Sequence, residues 1–142
     1  MERLQAFLLK KEQQTLVGKP AIIDELTQAQ QLLHVHFHED YVQFIEMFGG
    51  AYAGLAIHAF SNGSSIGNET VVDLTLDFRQ QYKDWLAPTI LDTSYVISMD
   101  GGGNPIFIDS LGKVFICYHD SGEIKQLANS FELLIEENFC EW

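Results

Sequence analysis

The chain has 142 residues, 46% of them hydrophobic, which is enough to bury a self-sufficient core, so one domain over residues 1–142 is predicted. Its 20 carboxylates against 8 Lys and Arg give a formal net charge of -12, which disfavours nucleic acid and anionic membranes as ligands because both repel a negative field. No apolar stretch approaches the roughly 20 residues of a membrane helix and no basic segment leads into an apolar one at the N-terminus, so a cytoplasmic location is expected.

Helical spacing dominates the beginning of the chain. Apolar residues at Leu4, Phe7 and Leu8 begin a short amphipathic helix. Pro20 stands at the first position of a second helix, a place that suits a residue without an N–H group. The inward positions of this second helix are Ile22, Leu26, Ala29 and Leu33.

The clearest helix comes next, and Gly49-Gly50 ends it because glycine readily adopts the positive φ that stops a helix. Its apolar residues follow the i, i+3, i+4, i+7 pattern of one buried face. These residues are Tyr41, Phe44, Ile45 and Phe48. Residues 51–60 are small and apolar on both faces, which predicts a strand in the centre of a sheet.

A loop over residues 61–67 is predicted to lead into a middle helix, which Asn68 or a neighbouring residue caps. Asp73 and Asp77 lie on the outward face of this helix, four residues apart, where like charges repel by about 0.2–0.5 kcal/mol. The inward stripe consists of Val71, Leu74, Phe78 and Tyr82.

From Tyr95 onwards the apolar period changes to two, which predicts three strands. The strands cover residues 95–99, 105–109 and 114–119. A short turn over residues 109–112 joins the last two, so an antiparallel hairpin or meander is expected.

The chain closes with a predicted amphipathic helix, for which Asn129 and Glu132 have the spacing of a capping box. Its apolar residues are Phe131, Leu134, Ile135 and Phe139. The order of elements predicts an α+β fold, in which a mixed or mostly antiparallel sheet is partly wrapped by N-terminal, middle and C-terminal helices.

Three histidines at alternate positions form the sharpest local pattern. In an extended strand, His34, His36 and His38 would project to one side, as ligands of zinc or nickel do. The segment lies between two predicted helices, however, and His38 adjoins a helix start, where it can simply cap or cover. We predict no metal and no cofactor, and keep a histidine metal site as an alternative hypothesis.

Other candidate chemistry is equally sparse. The Gly-rich segment from Asp100 to Asn104 continues as a strand and not as a helix, which favours a turn over a phosphate-binding loop. His119-Asp120 places a base beside a carboxylate at a strand end, but no nucleophile motif accompanies it. The chain is therefore predicted not to be an enzyme. Cys117 and Cys140 are expected to be free thiols.

The distribution of charge supports two interpretations. No Lys or Arg occurs from residue 20 to residue 78, while carboxylates accumulate there. A single sign of charge keeps many proteins soluble, and that alone could explain it. The repulsion tolerated at Asp73/Asp77 and at Glu132/Glu136 favours instead a negative surface that attracts a basic protein.

The motifs from about Pro20 to Phe139, taken in order, resemble the SUKH superfamily. An aromatic and acidic run leads through a helix to a glycine pair; glycines then precede a strand that ends in Asp; and a short polar segment starts the last helix. The matching segments are residues 37–41, 44–45, 48–50, 97–109, 112–115, 118–120 and 127–131.

The resemblance implies an α+β domain without an enzyme active site. Bacterial members look like immunity proteins, which neutralise a polymorphic or contact-dependent toxin, often a nuclease, by tight binding. Other members serve as interaction modules, for example in cell-wall regulation. The leading hypothesis is an immunity protein whose acidic surface occludes a basic toxin domain, and the alternative is an adaptor without a toxin partner.

Partner contacts are expected at loops and outward helix faces, where carboxylates can stand in for the phosphates of a nuclease substrate. Two tyrosines are candidate aromatic anchors, although residues in strands are more often buried in the core. The predicted partner-binding residues are Asp73, Asp77, Asp100, Asp120, Glu123, Tyr52 and Tyr118.

Overall fold

The computed structural model describes residues 17–64 and 66–138. The helix predicted from Leu4, and the predictions made for Phe139 and Cys140, lie outside these residues. The helices of the described residues are α1 (Ile23–Leu33), α2 (Glu39–Phe48), α3 (Val71–Gln81), α4 (Pro88–Leu91) and α5 (Phe131–Asn138). The strands are β1 (Ala51–Tyr52), β2 (Ala56–Ile57), β3 (Tyr95–Met99), β4 (Pro105–Ile108), β5 (Val114–Cys117) and β6 (Ile124–Ala128).

The main sheet has four strands in the order β3-β4-β5-β6, and each pair is antiparallel. The predicted meander and the α+β class are thus confirmed. The turn after β4 has the expected form, since the Asp109 carboxylate accepts hydrogen bonds from the backbone N–H groups of Leu111 (3.0 Å) and Lys113 (2.9 Å). Strand β6 was not predicted.

The two faces of this sheet are covered by different helices. Alternate residues of the strands, such as Ile97 and Ile106, pack with α1, α2 and α5 in the larger hydrophobic cluster. The intervening residues, such as Val96 and Phe107, pack with α3 and α4 in the smaller one. The period-two pattern therefore sends apolar side chains to both faces, as in a sheet between two layers of helices.

Helix α2 confirms the clearest prediction. All four residues of the predicted stripe are buried, from Tyr41 to Phe48. Gly49 follows with a φ of 63°, and its N–H donates to the carbonyl of Ile45. That backbone conformation strains a side chain, which is why a glycine stands there.

Helix α1 begins later than predicted. Pro20 precedes the helix by three residues and Ile22 is its N-cap, with 58% of its surface exposed, so Ile22 does not belong to the buried stripe. The Glu25 carboxylate accepts a hydrogen bond from the Ile22 N–H (3.1 Å), which fixes the helix start there. The other three predicted positions, Leu26, Ala29 and Leu33, are buried.

The prediction of one central strand over residues 51–60 was wrong. The segment turns back on itself and forms the two-stranded antiparallel sheet β1-β2, where Ala51 pairs with Ile57. Gly54 has a φ of 80°, which permits the tight reversal. The His58 N–H then donates to the Ile97 carbonyl (2.8 Å), which ties the segment to β3.

Helix α3 carries the predicted stripe, but its cap is Thr70 and not Asn68. The Thr70 hydroxyl accepts from the Asp73 N–H (3.1 Å), and the Asp73 carboxylate accepts from the Thr70 N–H (3.0 Å). This reciprocal pair is a capping box. Val71, Leu74 and Phe78 are buried as expected.

The capping box predicted at Asn129 and Glu132 was also wrong. The Ser130 hydroxyl accepts from the Leu133 N–H (3.2 Å), and the Glu132 N–H donates to the Asp40 carboxylate (3.0 Å). Asn129 instead accepts from the Gln126 side chain (2.9 Å). The start of α5 is therefore fixed partly by a residue of α2.

Within the described ranges, none of the helices has the length and apolar character needed to cross a membrane.

Candidate protein-binding surface

One end of the main sheet is formed by two turns. The first, over residues 100–104, joins β3 to β4 and is held by the Asp100 carboxylate. One carboxylate oxygen accepts from the N–H groups of Gly102 and Asn104, both at 2.9 Å, and the other accepts from the Asn104 amide at 2.9 Å. The predicted turn is confirmed, and Asp100 organises its backbone.

The second turn joins β5 to β6 over residues 118–123 and lies beside the first. The Asn104 side-chain oxygen accepts from the His119 N–H (2.9 Å), and the Tyr118 N–H donates to the Glu123 carbonyl (2.8 Å). Asp120 and Glu123 are exposed in this turn. Asp100, Asp120 and Glu123 are thus brought to the same end of the sheet.

The field around Asp100 reflects this arrangement. Partial burial acts to raise the pKa of the Asp100 carboxyl, but the hydrogen bonds from Asn104 and Gly102, together with nearby His119, outweigh it. The net result is a pKa below the ordinary value. Asp100 is therefore held as a carboxylate at the junction of the two turns.

Helix α3 adds Asp77 to this end. The Asp77 side chain lines a groove that also includes Met99 and Pro105, the residues that flank the first turn. Asp73 lies one helical turn earlier on the same exposed face, and its carboxylate is engaged in the Thr70 cap. We call the group Asp77, Asp100, Asp120 and Glu123 the acidic end.

The two predicted aromatic anchors occupy different environments. Tyr52 is 47% exposed, but it belongs to the β1-β2 hairpin, and none of the contacts that join the two turns and α3 includes it. Tyr118 opens the second turn, is half-buried and packs against the larger hydrophobic cluster. Only Tyr118 therefore adjoins the acidic end.

Sequence reasoning missed the aromatic side chain that is most exposed at this end. Trp85 follows α3 and is 55% exposed, and its ring meets the ring of Tyr82 edge to face at 6.2 Å. Trp85 continues the spacing of the buried stripe, so the pattern alone gave no sign of its exposure. The buried Tyr82 hydroxyl has no hydrogen-bond partner among the described residues.

The histidine pattern is divided among separate roles. His34 ends α1 with a φ of 57°, so the segment is not an extended strand there. The Nδ1 atom of His38 is 2.8 Å from the Tyr95 hydroxyl and its Nε2 atom is 3.1 Å from the Ser110 carbonyl, so both ring nitrogens are engaged. In the described residues, three or more His, Cys, Asp or Glu side chains are nowhere grouped to hold a metal ion.

Cys117 and His119 complete the candidate chemistry. Cys117 is a free, fully buried thiol, as predicted, and burial raises its pKa, which disfavours the reactive thiolate. His119 is exposed, and its backbone N–H serves the contact between the two turns.

Comparison with protein-family models identifies a family. The model of the SMI1/KNR4 family (SUKH-1) matches residues 20–137, which is most of the chain and includes both turns of the acidic end. No curated protein matches the chain.

Proposed function

The chain belongs to the SMI1/KNR4 family (SUKH-1), and we propose that it is a non-enzymatic protein-binding domain that acts in the cytoplasm as an immunity protein. Its partner is a basic toxin domain, most simply a nuclease, whose active face it covers. The acidic end supplies the contact surface. Nucleic acid and membranes are not ligands of such a surface, because both carry the same sign of charge.

The observation that supports this proposal most is the junction of the two turns beside α3. Asp100 and Asp120 come from separate turns that the bond between Asn104 and His119 holds together. Asp77 approaches from the helix that covers the same end. Carboxylates held on structured backbone lose little conformational freedom on binding, so they suit recognition better than mobile ones.

A nuclease holds its substrate through cationic side chains that bind phosphates. An array of carboxylates on another protein carries negative charge, as the phosphates do. It therefore competes with the substrate for the same cationic side chains. Attraction between the two surfaces accelerates their encounter and makes association sensitive to salt. The net charge of -12 extends this attraction beyond the contact itself.

The direct test is calorimetric titration with the toxin domain encoded beside this gene. The double variant Asp77→Asn, Asp120→Asn is compared with the wild type and with Asp24→Asn, Glu46→Gln, which removes equal charge from exposed positions on α1 and α2. We expect the first variant to bind at least about tenfold more weakly, since truncating charged contacts at an interface commonly costs 2 kcal/mol or more. The control variant should bind almost as the wild type does.

Absence of binding at low salt would end the immunity proposal. If the neighbouring genes serve the cell envelope or regulation and include no toxin, the adaptor function becomes the account of the same surface. Equal losses in the two double variants would show that net charge acts without a localised site.

A further inference from the structure

Trp85 is an exposed aromatic side chain in a fixed position. More than half of its surface, 55%, is open to solvent. It nevertheless contacts two structured parts of the protein, the ring of Tyr82 at the end of α3 and the backbone of the second turn at Gly122. An indole that is both exposed and held has little freedom to lose when a partner covers it.

The contact with the second turn is close. A Cβ atom placed on Gly122 would lie 2.8 Å from the Cε3 atom of Trp85, closer than such atoms approach one another. Gly122 also has a φ of 73°, which disfavours any other residue. Both features favour a glycine at this position, so the turn and the indole are fitted to each other.

Negative charge lies close to this ring. Asp120 precedes Gly122 by two residues. Burial is the largest cause that raises the pKa of the neighbouring Tyr82 hydroxyl, and the charges of Cys117 and then Asp120 add to it. Asp84 is exposed and directly precedes Trp85 in sequence. The indole therefore stands within the field of the acidic end.

The nearest helical arginine does not neutralise this charge. The guanidinium of Arg79 donates to the carbonyl oxygens of Leu33 (2.7 Å) and Leu91 (2.9 Å), which belong to α1 and α4. Lys83 is exposed between α3 and Trp85 and is the cation closest to it in sequence. The second turn itself, residues 118–123, contains the carboxylates of Asp120 and Glu123 and no Lys or Arg.

We propose that Trp85 is the anchor of the acidic end for an arginine side chain of the protein partner, whose guanidinium stacks on the indole beside Asp120. The inference rests on the proposed function and specifies the chemistry of the contact. A planar guanidinium stacks on an aromatic face and pairs with a carboxylate at the same time. Lysine carries a compact, strongly hydrated charge and makes the stacked contact less well.

The test uses an arginine–glycine repeat peptide as the probe and a lysine–glycine peptide of equal length and charge as the comparison. Intrinsic fluorescence is recorded in a Trp142→Phe background, so that Trp85 is the remaining tryptophan. We expect the arginine peptide to bind more tightly than the lysine peptide and to change the emission of Trp85.

Substitutions at Trp85 then separate stacking from net charge. We expect Trp85→Leu, followed by calorimetry, to weaken binding of the arginine peptide about fivefold, in line with an exposed cation–π contact. Trp85→Phe keeps an aromatic ring in the packed position and should lose less affinity for the arginine peptide. The matched control Tyr52→Leu removes another exposed aromatic residue, 47% exposed on the β1-β2 hairpin, and should leave binding unchanged.

Circular dichroism shows whether each variant is folded. If Trp85→Leu does not fold, Trp85→Phe serves as the test instead. The proposal is overturned if Trp85 variants bind the arginine peptide as the wild type does, or if Tyr52→Leu weakens binding equally. A toxin domain that binds Trp85→Leu and the wild type equally would overturn the anchor and leave the immunity function standing. Failure of the toxin to bind the wild type concerns the immunity function alone.

Discussion

Several polar side chains that are conspicuous in the sequence organise the backbone. Asp100 accepts three hydrogen bonds inside its own turn. His38 lies against Gly112 and joins α2 to the turn after β4, because its two ring nitrogens reach Tyr95 and Ser110. Such residues shape the surface on which a partner would bind, whether or not they touch it.

The turn at Asp100 predicts a dependence of stability on pH. In Asp100→Asn the amide oxygen can still accept from the two backbone N–H groups, but an NH2 group replaces the oxygen that accepts from the Asn104 side chain. We therefore expect a loss of about 1 kcal/mol in the free energy of unfolding at pH 7. The folded pKa of Asp100 is lowered, so its contribution is complete above the unfolded value of about 3.9 and is lost as the pH falls through the folded value.

Urea denaturation of the wild type and of Asp100→Asn at pH 7 and pH 3 measures this difference. The gap between the two proteins should be smaller at pH 3. Asp84→Asn, which removes the same charge from an exposed position, should show little difference at either pH. A gap of equal size at both values would mean that the charge of Asp100 does not stabilise the turn.

At the scale of elements, the ends of the helices depend on contacts far apart in sequence. The Asp40 carboxylate, in the first turn of α2, accepts from the Glu132 N–H in the first turn of α5 at 3.0 Å. A carboxylate at this position accepts a hydrogen bond from an N–H group that has no partner within the helix. Its negative charge also interacts favourably with the positive end of the helix dipole. The start of the last helix is thereby attached to the start of α2.

Loss of this contact should destabilise α5. Asp40→Ala is expected to lower the free energy of unfolding by about 0.5–2 kcal/mol, the range measured for lost helix caps. Urea denaturation gives the free energy, and amide exchange at Glu132 shows whether the effect is local. Glu39→Ala removes an acidic residue from the same turn of α2 and is the matched control. If both variants lose the same stability, the link between α2 and α5 contributes nothing.

Elements with a clear local pattern of apolar residues were predictable. The stripe of α2 and the apolar strands β3 and β4, which are buried on both faces, were found in this way. The prediction of one central strand over residues 51–60 was wrong because small apolar residues are compatible with a hairpin as well as with a central strand. Strand β6 was missed because its apolar residues, Ile124, Leu127 and Ala128, do not alternate with polar ones. The contribution of Asp40 to the start of α5 could not be predicted from local sequence, because 92 positions separate it from Glu132.

At the scale of the whole molecule, the predicted site residues are not equivalent. The fold gathers Asp77, Asp100, Asp120 and Glu123 at one end, which composition alone could not reveal. Tyr52 lies on the other sheet, and the Asp73 carboxylate is engaged in the capping box at the start of α3. Trp85 was absent from the prediction because its exposure depends on how the end of α3 packs against the second turn. No local sequence pattern predicts that packing.

The central claim is that a cationic protein binds at the acidic end. The most direct measurement is an amide chemical-shift map of the isotope-labelled protein, titrated with the toxin domain encoded beside it. The account predicts that the largest changes fall on residues 100–104, residues 118–123 and the end of α3 with Trp85. Largest changes on α1 and the β1-β2 hairpin, with the two turns unaffected, would contradict it.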